Sequence, residues 1–384
     1  MMTLHQRKDA FLETIARLTA ERAAARDIVA SLRASDAGVW DWQIPAHWRT
    51  AGFVQELTAI ASDVLESQPR DSLAYAQLAL AIATTIPSGA YPAPVQAQIE
   101  GAAWKEIGTA HRYLSEYDAA FRAYDSAHRA YRTVDSLPHD DAVIELARAI
   151  VLSDVGRYDE ALEVLATVEP VLRGFEDRGR VVKARLLVGT IYWQQQRLED
   201  AREVYRKSLT DVPFDDLYTR AMLYSNLGQV TAELGDVSNA VVLLNDARQL
   251  LVGLEMEAEV ARTEWALGRI LLQTGEHAKA AAMFEKVRKI FLRKTMVEEA
   301  GLTGLDIADA LIANDRQSDA RAVIESVVAE FVNAGLNQRA ITALAYLRDV
   351  LPTATNSQRA VRHVRQYLQN LRSEPARLFF PLID

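Results

Sequence analysis

The 384-residue sequence contains no cysteine. This absence excludes disulfide bonds, catalysis by a thiolate and zinc sites with cysteine ligands. The sequence also has no apolar run near the ~18 residues that a membrane-spanning helix needs. Asp9 and Glu13 interrupt the start of the chain, where a signal peptide would carry an unbroken apolar segment. We therefore expect a soluble, cytoplasmic protein that does not contact a membrane.

Positive charge and catalytic motifs are scarce as well. The formal net charge is −9, so we expect no direct binding to nucleic acid. The sequence has no nucleophile elbow, no phosphate-binding loop and no H-E-x-x-H helix. His139 with Asp140 and Asp141 is the one cluster that resembles a metal or phosphatase motif, but these residues are equally typical of the start of a helix. We predict a protein that is not an enzyme, with no catalytic residues, no metal site and no cofactor.

What the sequence does contain is an internal repeat. Between positions 102 and 131, large and small residues recur at helical spacing: Trp104, Ile107, Gly108, His111, Tyr117, Ala120, Tyr124 and Ala127. Alanines in the same context stand at positions 120, 161, 201, 240, 280 and 320, with spacings of 41, 40, 39, 40 and 40. Six matches at so constant a period predict an array of similar structural units that share one continuous core.

The repeat resembles the tetratricopeptide repeat (TPR), whose pattern is Trp-x2-Leu-Gly-x2-Tyr followed by Ala-x3-Phe. The resemblance implies an all-α fold, a right-handed TPR-like solenoid with helical N-terminal and C-terminal caps. In each helix pair, small residues such as Gly108 and Ala120 would accept large side chains from the partner helix. The period exceeds the usual ~34 residues, so we expect helices lengthened by about a turn and a half.

The resemblance divides the chain into three parts. Residues 51–345 form the solenoid, with a degenerate first repeat at 52–86 and six repeats over about 101–340. Residues 1–50 form a capping helix and a tryptophan-rich loop, and residues 346–384 form a second capping helix and a tail. The first helix should bury the stripe Phe11, Ile15, Leu18, Ala25, Val29 and Leu32, either against the solenoid or in a dimeric coiled coil. Trp40, Trp42 and Trp48 either pack on the first repeat or form a ligand cage.

A further pattern concerns helix ends. Gly174-Phe175, Gly253-Leu254 and Gly335-Leu336 each close a second helix, where glycine is suited to a left-handed conformation. Long repeats with this junction resemble the helical arrays of bacterial regulators of the MalT and Rap/PlcR types.

The last helix has an apolar stripe that consists of Val361, Val364, Leu368 and Leu371. Another face of this helix carries Arg359, Arg362 and Arg365. This basic face is either solvated or a site for an anionic partner.

In TPR arrays the first helix of each repeat lines a concave groove. Carried onto this sequence, the groove positions include Lys105, Arg112, Tyr113, Lys183, Trp193, Gln229, Arg262, Trp265 and Arg269. This polar, cationic and aromatic set favours a protein or peptide partner with an acidic segment or a free carboxylate. The alternative for Trp193 and Trp265 is that they pack between neighbouring helices.

The predicted function is a non-enzymatic scaffold or adaptor that holds a partner segment in this groove. The alternative is a ligand-gated, peptide-sensing regulator that resembles the Rap/PlcR-type receptors. The sequence does not predict the oligomeric state.

Overall fold

A computed structural model describes residues 4–35, 38–134, 137–351, 357–371 and 377–382. These residues form seventeen α-helices and, at 39–41 and 46–48, two short 3-10 turns. The all-α prediction is confirmed. The helices are α1 (Leu4–Arg33), α2 (Ala51–Val64), α3 (Pro69–Thr85), α4 (Ala93–Tyr113), α5 (Tyr117–Tyr131), α6 (Pro138–Asp154), α7 (Tyr158–Gly174), α8 (Arg178–Gln194), α9 (Leu198–Asp211), α10 (Leu217–Glu233), α11 (Val237–Gly253), α12 (Glu257–Gln273), α13 (His277–Arg293), α14 (Val297–Ile312), α15 (Gln317–Asn333), α16 (Gln338–Val350) and α17 (Ser357–Leu371).

The helices pack in successive pairs, as in a TPR-like solenoid. Helix α2 packs on α3, α4 on α5, α8 on α9, α10 on α11, α12 on α13 and α14 on α15. Eight of the twelve helices from α4 to α15 have 17 residues, namely α6, α7, α8, α10, α11, α12, α13 and α15. Seventeen residues make almost five turns. The 40-residue period therefore consists of two long helices and two short turns.

Small residues on the first helix of a pair receive large side chains from the second. A Cβ atom built on Gly189 would lie 2.4 Å from Cε1 of Tyr205, and one on Gly268 would lie 2.5 Å from Cε1 of Phe284. Real atoms do not approach so closely, so only glycine leaves room for the ring. The same relation, sixteen residues apart, joins two further pairs, Gly108 with Tyr124 and Gly228 with Leu244. The predicted role of Gly108 is confirmed.

A left-handed residue marks each turn inside a repeat. It lies five positions before the repeating alanine and keeps the same period, at Ser115, Gly156, Gln196, Gly235, Gly275 and Asp315. Left-handed backbone is strained for residues with a side chain and is free of that strain in glycine. The turn geometry therefore persists even in the three repeats where the sequence does not supply glycine.

The predicted glycine junctions are only partly correct. Gly335 has a φ of +64°, as expected, but Gly174 and Gly253 are the last residues of α7 and α11. The left-handed residues there are Glu176 and Glu255, both with a φ of +57°. The helix continues through the glycine, and the chain turns two residues later. At the first junction the Asp177 N–H then donates to the Leu172 carbonyl over 3.0 Å, which is the bond of a Schellman cap.

Contacts divide the chain into two compact units, which are described separately. The N-terminal unit contains residues 1–153 and 157–177, and the C-terminal unit contains residues 154–156 and 178–384. In the N-terminal unit, α1 has 30 residues and packs on α2, which has 14. At 1.5 Å per residue these lengths are about 45 Å and 21 Å. Helix α1 is therefore longer than α2 by about 24 Å.

This difference in length corrects the predicted stripe of α1. Ala25 and Val29 are buried against the first repeat, but Phe11 and Ile15 are 64% and 44% exposed. Helix α1 is instead held near its middle, where the Tyr91 hydroxyl donates to the Glu21 carboxylate over 2.7 Å.

The tryptophan-rich loop lies against the first helix pair. Trp42 is buried and meets the ring of Tyr75 edge-on, with 5.6 Å between ring centroids. Trp48 is partly buried against the same apolar cluster. These contacts are the ones expected if the loop tryptophans pack on the first repeat. The side chain of Trp40 lies outside the described residues.

In the C-terminal unit, the final helix is part of the core. The four residues of its predicted apolar stripe are all buried, together with side chains of α14 and α16. The tail folds back on this helix, where the Phe379 ring lies 4.9 Å from that of Tyr367 and 5.2 Å from that of Tyr346. Among the described residues, no helix is long and apolar enough to cross a membrane.

Candidate functional site

A cavity of about 460 Å³ opens in the C-terminal unit. Its walls come from the first helices of three consecutive repeats (α10, α12 and α14), from α11 and from the final helix α17. These three first helices lie side by side, and we call the surface that they present to the cavity the inner face. The cavity is lined by Gln229, Ala232, Glu233, Leu244, Ala266, Arg269, Ile270, Leu272, Gln273, Asp306, Asp309, Arg362 and Arg365.

The repeat register explains the most central of these residues. Gln229, Arg269 and Asp309 are 40 residues apart, and each directly follows the small residue that contacts the second helix, at 228, 268 and 308. The residue that follows it is turned by about 100° around the helix axis, and in each of these three repeats it lines the cavity. The cavity therefore displays an amide, a cation and a carboxylate from equivalent positions of three repeats.

The floor of the cavity is apolar. Leu244, Ala266 and Ile270 are buried beneath it and belong to one cluster of the core. An apolar floor with a few polar groups above it is the usual composition of a site for a small ligand or a peptide side chain.

Both aspartates of the cavity are paired with other parts of the chain. The Trp265 indole N–H donates to Asp306 Oδ2 over 2.6 Å, and Arg365 Nε lies 2.7 Å from Asp306 Oδ1. Asp309 accepts a hydrogen bond of 3.0 Å from the Gln358 amide and lies 3.4 Å from Arg362 Nε. Burial raises the pKa of the Asp309 carboxyl, and Arg362 opposes that shift.

Glu233 has a similar partner. The Trp193 indole N–H donates to Glu233 Oε2 over 3.0 Å, from α8 to the end of α10. Trp193 and Trp265 are both partly buried against core clusters, and each holds an acidic group of the next inner-face helix. These contacts are the ones expected if Trp193 and Trp265 pack between neighbouring helices.

Arg269 differs from the other charged residues of the cavity. Within the part of the chain that the structure describes, its guanidinium forms neither a hydrogen bond nor an ion pair. Water reaches the side chain from the cavity, yet the surrounding protein desolvates the group and lowers its pKa. The nearby Arg365 lowers it further, whereas Asp306 and Glu233 act in the opposite direction. Since arginine stays protonated in proteins, Arg269 presents an unpaired positive charge to the cavity.

The structure distributes the nine predicted groove residues over several places. Gln229 and Arg269 line the cavity, and Trp193 and Trp265 support its acidic groups. Lys183 lies on α8 and Arg262 on α12, both outside the cavity, and Arg262 pairs with Glu259 and Glu299. The remaining three, Lys105, Arg112 and Tyr113, lie on α4 of the N-terminal unit. There Lys105 pairs with Glu106, and Arg112 lies over the Tyr113 ring.

Sequence reasoning missed Asp306, Asp309 and the role of the last helix. Asp309 occupies the same register position as Arg269, so the repeat rule was sufficient to find it. No repeat rule leads to Arg362 and Arg365, because their positions depend on where α17 docks. Both residues contact acids of this chain, although the side chain of Arg362 is 67% exposed and that of Arg365 is 16% exposed.

The histidine cluster has structural partners. His139 Nε2 lies 2.8 Å from Asp177 Oδ2, and its ring packs beside Phe175 at 5.3 Å. Among the described residues, no group of three or more histidine and acidic side chains could hold a metal ion. The contacts of His139 link the start of α6 to the end of α7 and include no arrangement of acid, base and nucleophile.

Comparisons with known proteins agree with this architecture. Models of the tetratricopeptide repeat match residues 142–167, 182–210 and 219–293. No curated protein sequence matches the chain significantly.

Solved structures resemble the chain over nearly its whole length. The apo form of the quorum sensor NprR from B. thuringiensis is 12% identical, with a TM-score of 0.62 over 94% of this chain and 98% of that one. The apo form of RapI is 13% identical, with a TM-score of 0.57 over 97% and 99%. The Rap conjugation gene regulator of plasmid pLS20, in complex with the Phr* peptide, is 12% identical, with a TM-score of 0.53 over 85% and 99%. At such identities the likeness concerns the fold, which is the one predicted.

Proposed function

Because the chain is a tetratricopeptide repeat protein, we propose that it is a non-enzymatic scaffold or adaptor that binds a segment of a partner protein or a peptide. The proposed site is the inner face of the C-terminal unit, centred on Gln229 and Arg269. The observation that carries the proposal is the unpaired Arg269 cation above an apolar floor. The partner segment carries an acidic group or a free carboxylate, which would complete the pairing of Arg269.

The electrostatics of the cavity support this choice of partner. Every acidic residue of the wall has a donor from the chain itself, so a cationic ligand would have to displace an existing contact. An anionic group meets Arg269 without displacing any such contact. The surrounding protein lowers the pKa of the Arg269 guanidinium, and the counter-charge of a ligand would favour its charged form.

The second candidate function is a peptide-sensing regulator. The observation that favours it is the similarity in fold, over most of both chains, to NprR and RapI and to a Rap protein in complex with a peptide. In this case binding of a short peptide would change the spacing of the repeats and thereby alter contact with a target protein.

Affinity capture tests the proposed site. The wild-type chain and Arg269→Gln are immobilised and exposed to a lysate of the native host, with Arg321→Gln as the matched control. Arg321 is half-exposed on α15 and pairs with Glu325 four residues along the same helix, and it does not line the cavity, so its loss should not affect the site. A protein captured by wild type and by the control, but not by Arg269→Gln, supports the proposal. Equal capture by all three chains contradicts it.

A second measurement separates the two candidate functions. Small-angle scattering is recorded for the chain alone and with the captured partner's binding segment as a synthetic peptide. If the chain is an adaptor, its radius of gyration should change only by the small amount that the mass of the bound peptide adds. If it is a sensor, binding of the short peptide should change its compactness and hence its radius of gyration by more than that amount.

A further inference from the structure

The last helix departs from the arrangement of the repeats. Second helices elsewhere in this unit pack on their own first helix and on the next one, as α11 does with α10 and α12 and as α13 does with α12 and α14. Helix α17 follows α16, yet it packs on α14 as well as on α16. Its buried stripe joins the core beside α14, and Arg362 and Arg365 reach the two aspartates of that helix.

Helix α17 therefore covers the inner face at the sixth repeat. Asp309 stands at the position equivalent to Gln229 and Arg269, but its carboxylate is already bound by Gln358 and Arg362. Asp306 is likewise bound by Trp265 and Arg365. A ligand that lies along α10 and α12 meets α17 and cannot continue across α14. The inner face is open at the fourth and fifth repeats and closed at the sixth.

The groups that remain unpaired lie next to this closed end. Arg269 has no partner among the described residues, and neither does the side-chain amide of Gln273, one turn further along α12. A guanidinium offers parallel N–H donors that match both oxygens of a carboxylate. The volume of about 460 Å³ lies within the range of about 300–1,000 Å³ that is typical of ligand sites.

From the closed end and the unpaired donors beside it, we infer that the cavity binds the free C-terminal carboxylate of a peptide, and not an acidic side chain within a continuing segment. An internal acidic residue needs room for the chain on both sides, and α17 removes that room on one side. A terminal carboxylate needs room on one side only. This inference rests on the proposed function and adds the kind of group that the site recognises.

The test compares two mixed-sequence hexapeptide libraries that differ only at the C-terminus, one ending in a free carboxylate and the other in an amide. Each library is passed over immobilised wild-type chain, Arg269→Gln and Arg321→Gln, and the retained peptides are quantified by mass spectrometry. We expect wild type and Arg321→Gln to retain the free-acid library about tenfold or more over the amide library, since a hydrogen bond to a charged group accounts for at least that ratio. Arg269→Gln should lose this preference.

The other outcomes separate the two proposals. Equal retention of both libraries by wild type, abolished in Arg269→Gln, would refute end recognition and leave peptide binding at this site intact. A free-acid preference that persists in Arg269→Gln would refute the role of this residue. If wild type retains neither library, both proposals fail. Circular dichroism and the thermal midpoint of Arg269→Gln must match those of wild type. Arg269→Lys keeps the charge without the paired donors. Its preference for the free-acid library should therefore be weaker than that of wild type and stronger than that of Arg269→Gln.

Discussion

Replacing Gly189 by alanine tests the close packing that defines each repeat. The added Cβ would lie 2.4 Å from Cε1 of Tyr205 and 2.8 Å from Cδ1 and Cζ. Carbon atoms pack best at about 3.5–4.0 Å, so three ring atoms would overlap with it by about 1 Å. The ring has no easy escape, because Tyr205 is fully buried and its hydroxyl lies 3.0 Å from Thr190 Oγ1.

The expected cost follows from two opposing effects. Overpacking of a core costs about 1–3 kcal/mol, and three overlapping atoms on a fixed ring place Gly189→Ala near the upper end. Alanine in a helix is favoured over glycine by about 1 kcal/mol. We therefore expect a net loss of about 2 kcal/mol, which corresponds to about a 30-fold shift in the opening equilibrium of α8 and α9.

Gly179→Ala provides a control on the same helix. A Cβ at Gly179, the second residue of α8, would have no neighbour within 4 Å, so the same change should leave α8 equally stable or stabilise it by less than the ~0.5–1 kcal/mol of a helix interior. Hydrogen exchange of peptides that cover α8 and α9 measures both effects locally, which avoids the assumption that the two compact units unfold together. The reasoning is refuted if Gly189→Ala protects these amides as well as Gly179→Ala does.

A double substitution tests whether the tyrosine is the cause. The equivalent pair in the second repeat is Ala149 with the buried Leu165, so Gly189→Ala with Tyr205→Leu copies a pair that the chain already uses. The double variant should be less destabilised than the sum of the two single variants, because only the single Gly189→Ala creates the overlap.

Three further predictions concern pH, turns and the last helix. The Glu145 carboxylate raises the pKa of His128 above its ordinary 6.5, so this contact stabilises the fold below that pH and is lost as the pH rises through the raised pKa. His128→Gln should flatten the urea midpoint over that range. Gly235→Ala should cost about 1–2 kcal/mol at a φ of +90°, whereas Gln196→Gly, at +61°, should raise the thermal midpoint or leave it unchanged. Arg365→Ala should speed hydrogen exchange in α17, because the buried Asp306 carboxylate would lose its cation.

Features within one repeat could be predicted because they join residues close together in sequence. The pairing of Gly189 with Tyr205 spans sixteen residues, and its period is visible as glycine and alanine at regular spacing. The same register predicted Gln229 and Arg269 as inner-face residues. Helix junctions were predicted less well, since the left-handed residue at 176 depends on how far α7 continues, and the backbone bonds at its end decide that.

The repeating helix pairs could be predicted from the 40-residue period of small and large residues, because units with such a period stack and share one core. The tertiary structure alone decided which charges remain unpaired. Arg365 and Asp306 are 59 residues apart, and no period connects them. Their contact exists because α17 buries its apolar stripe in the core beside α14 and α16. That docking pairs two aspartates with arginines of α17, whereas Arg269 has no partner among the described residues.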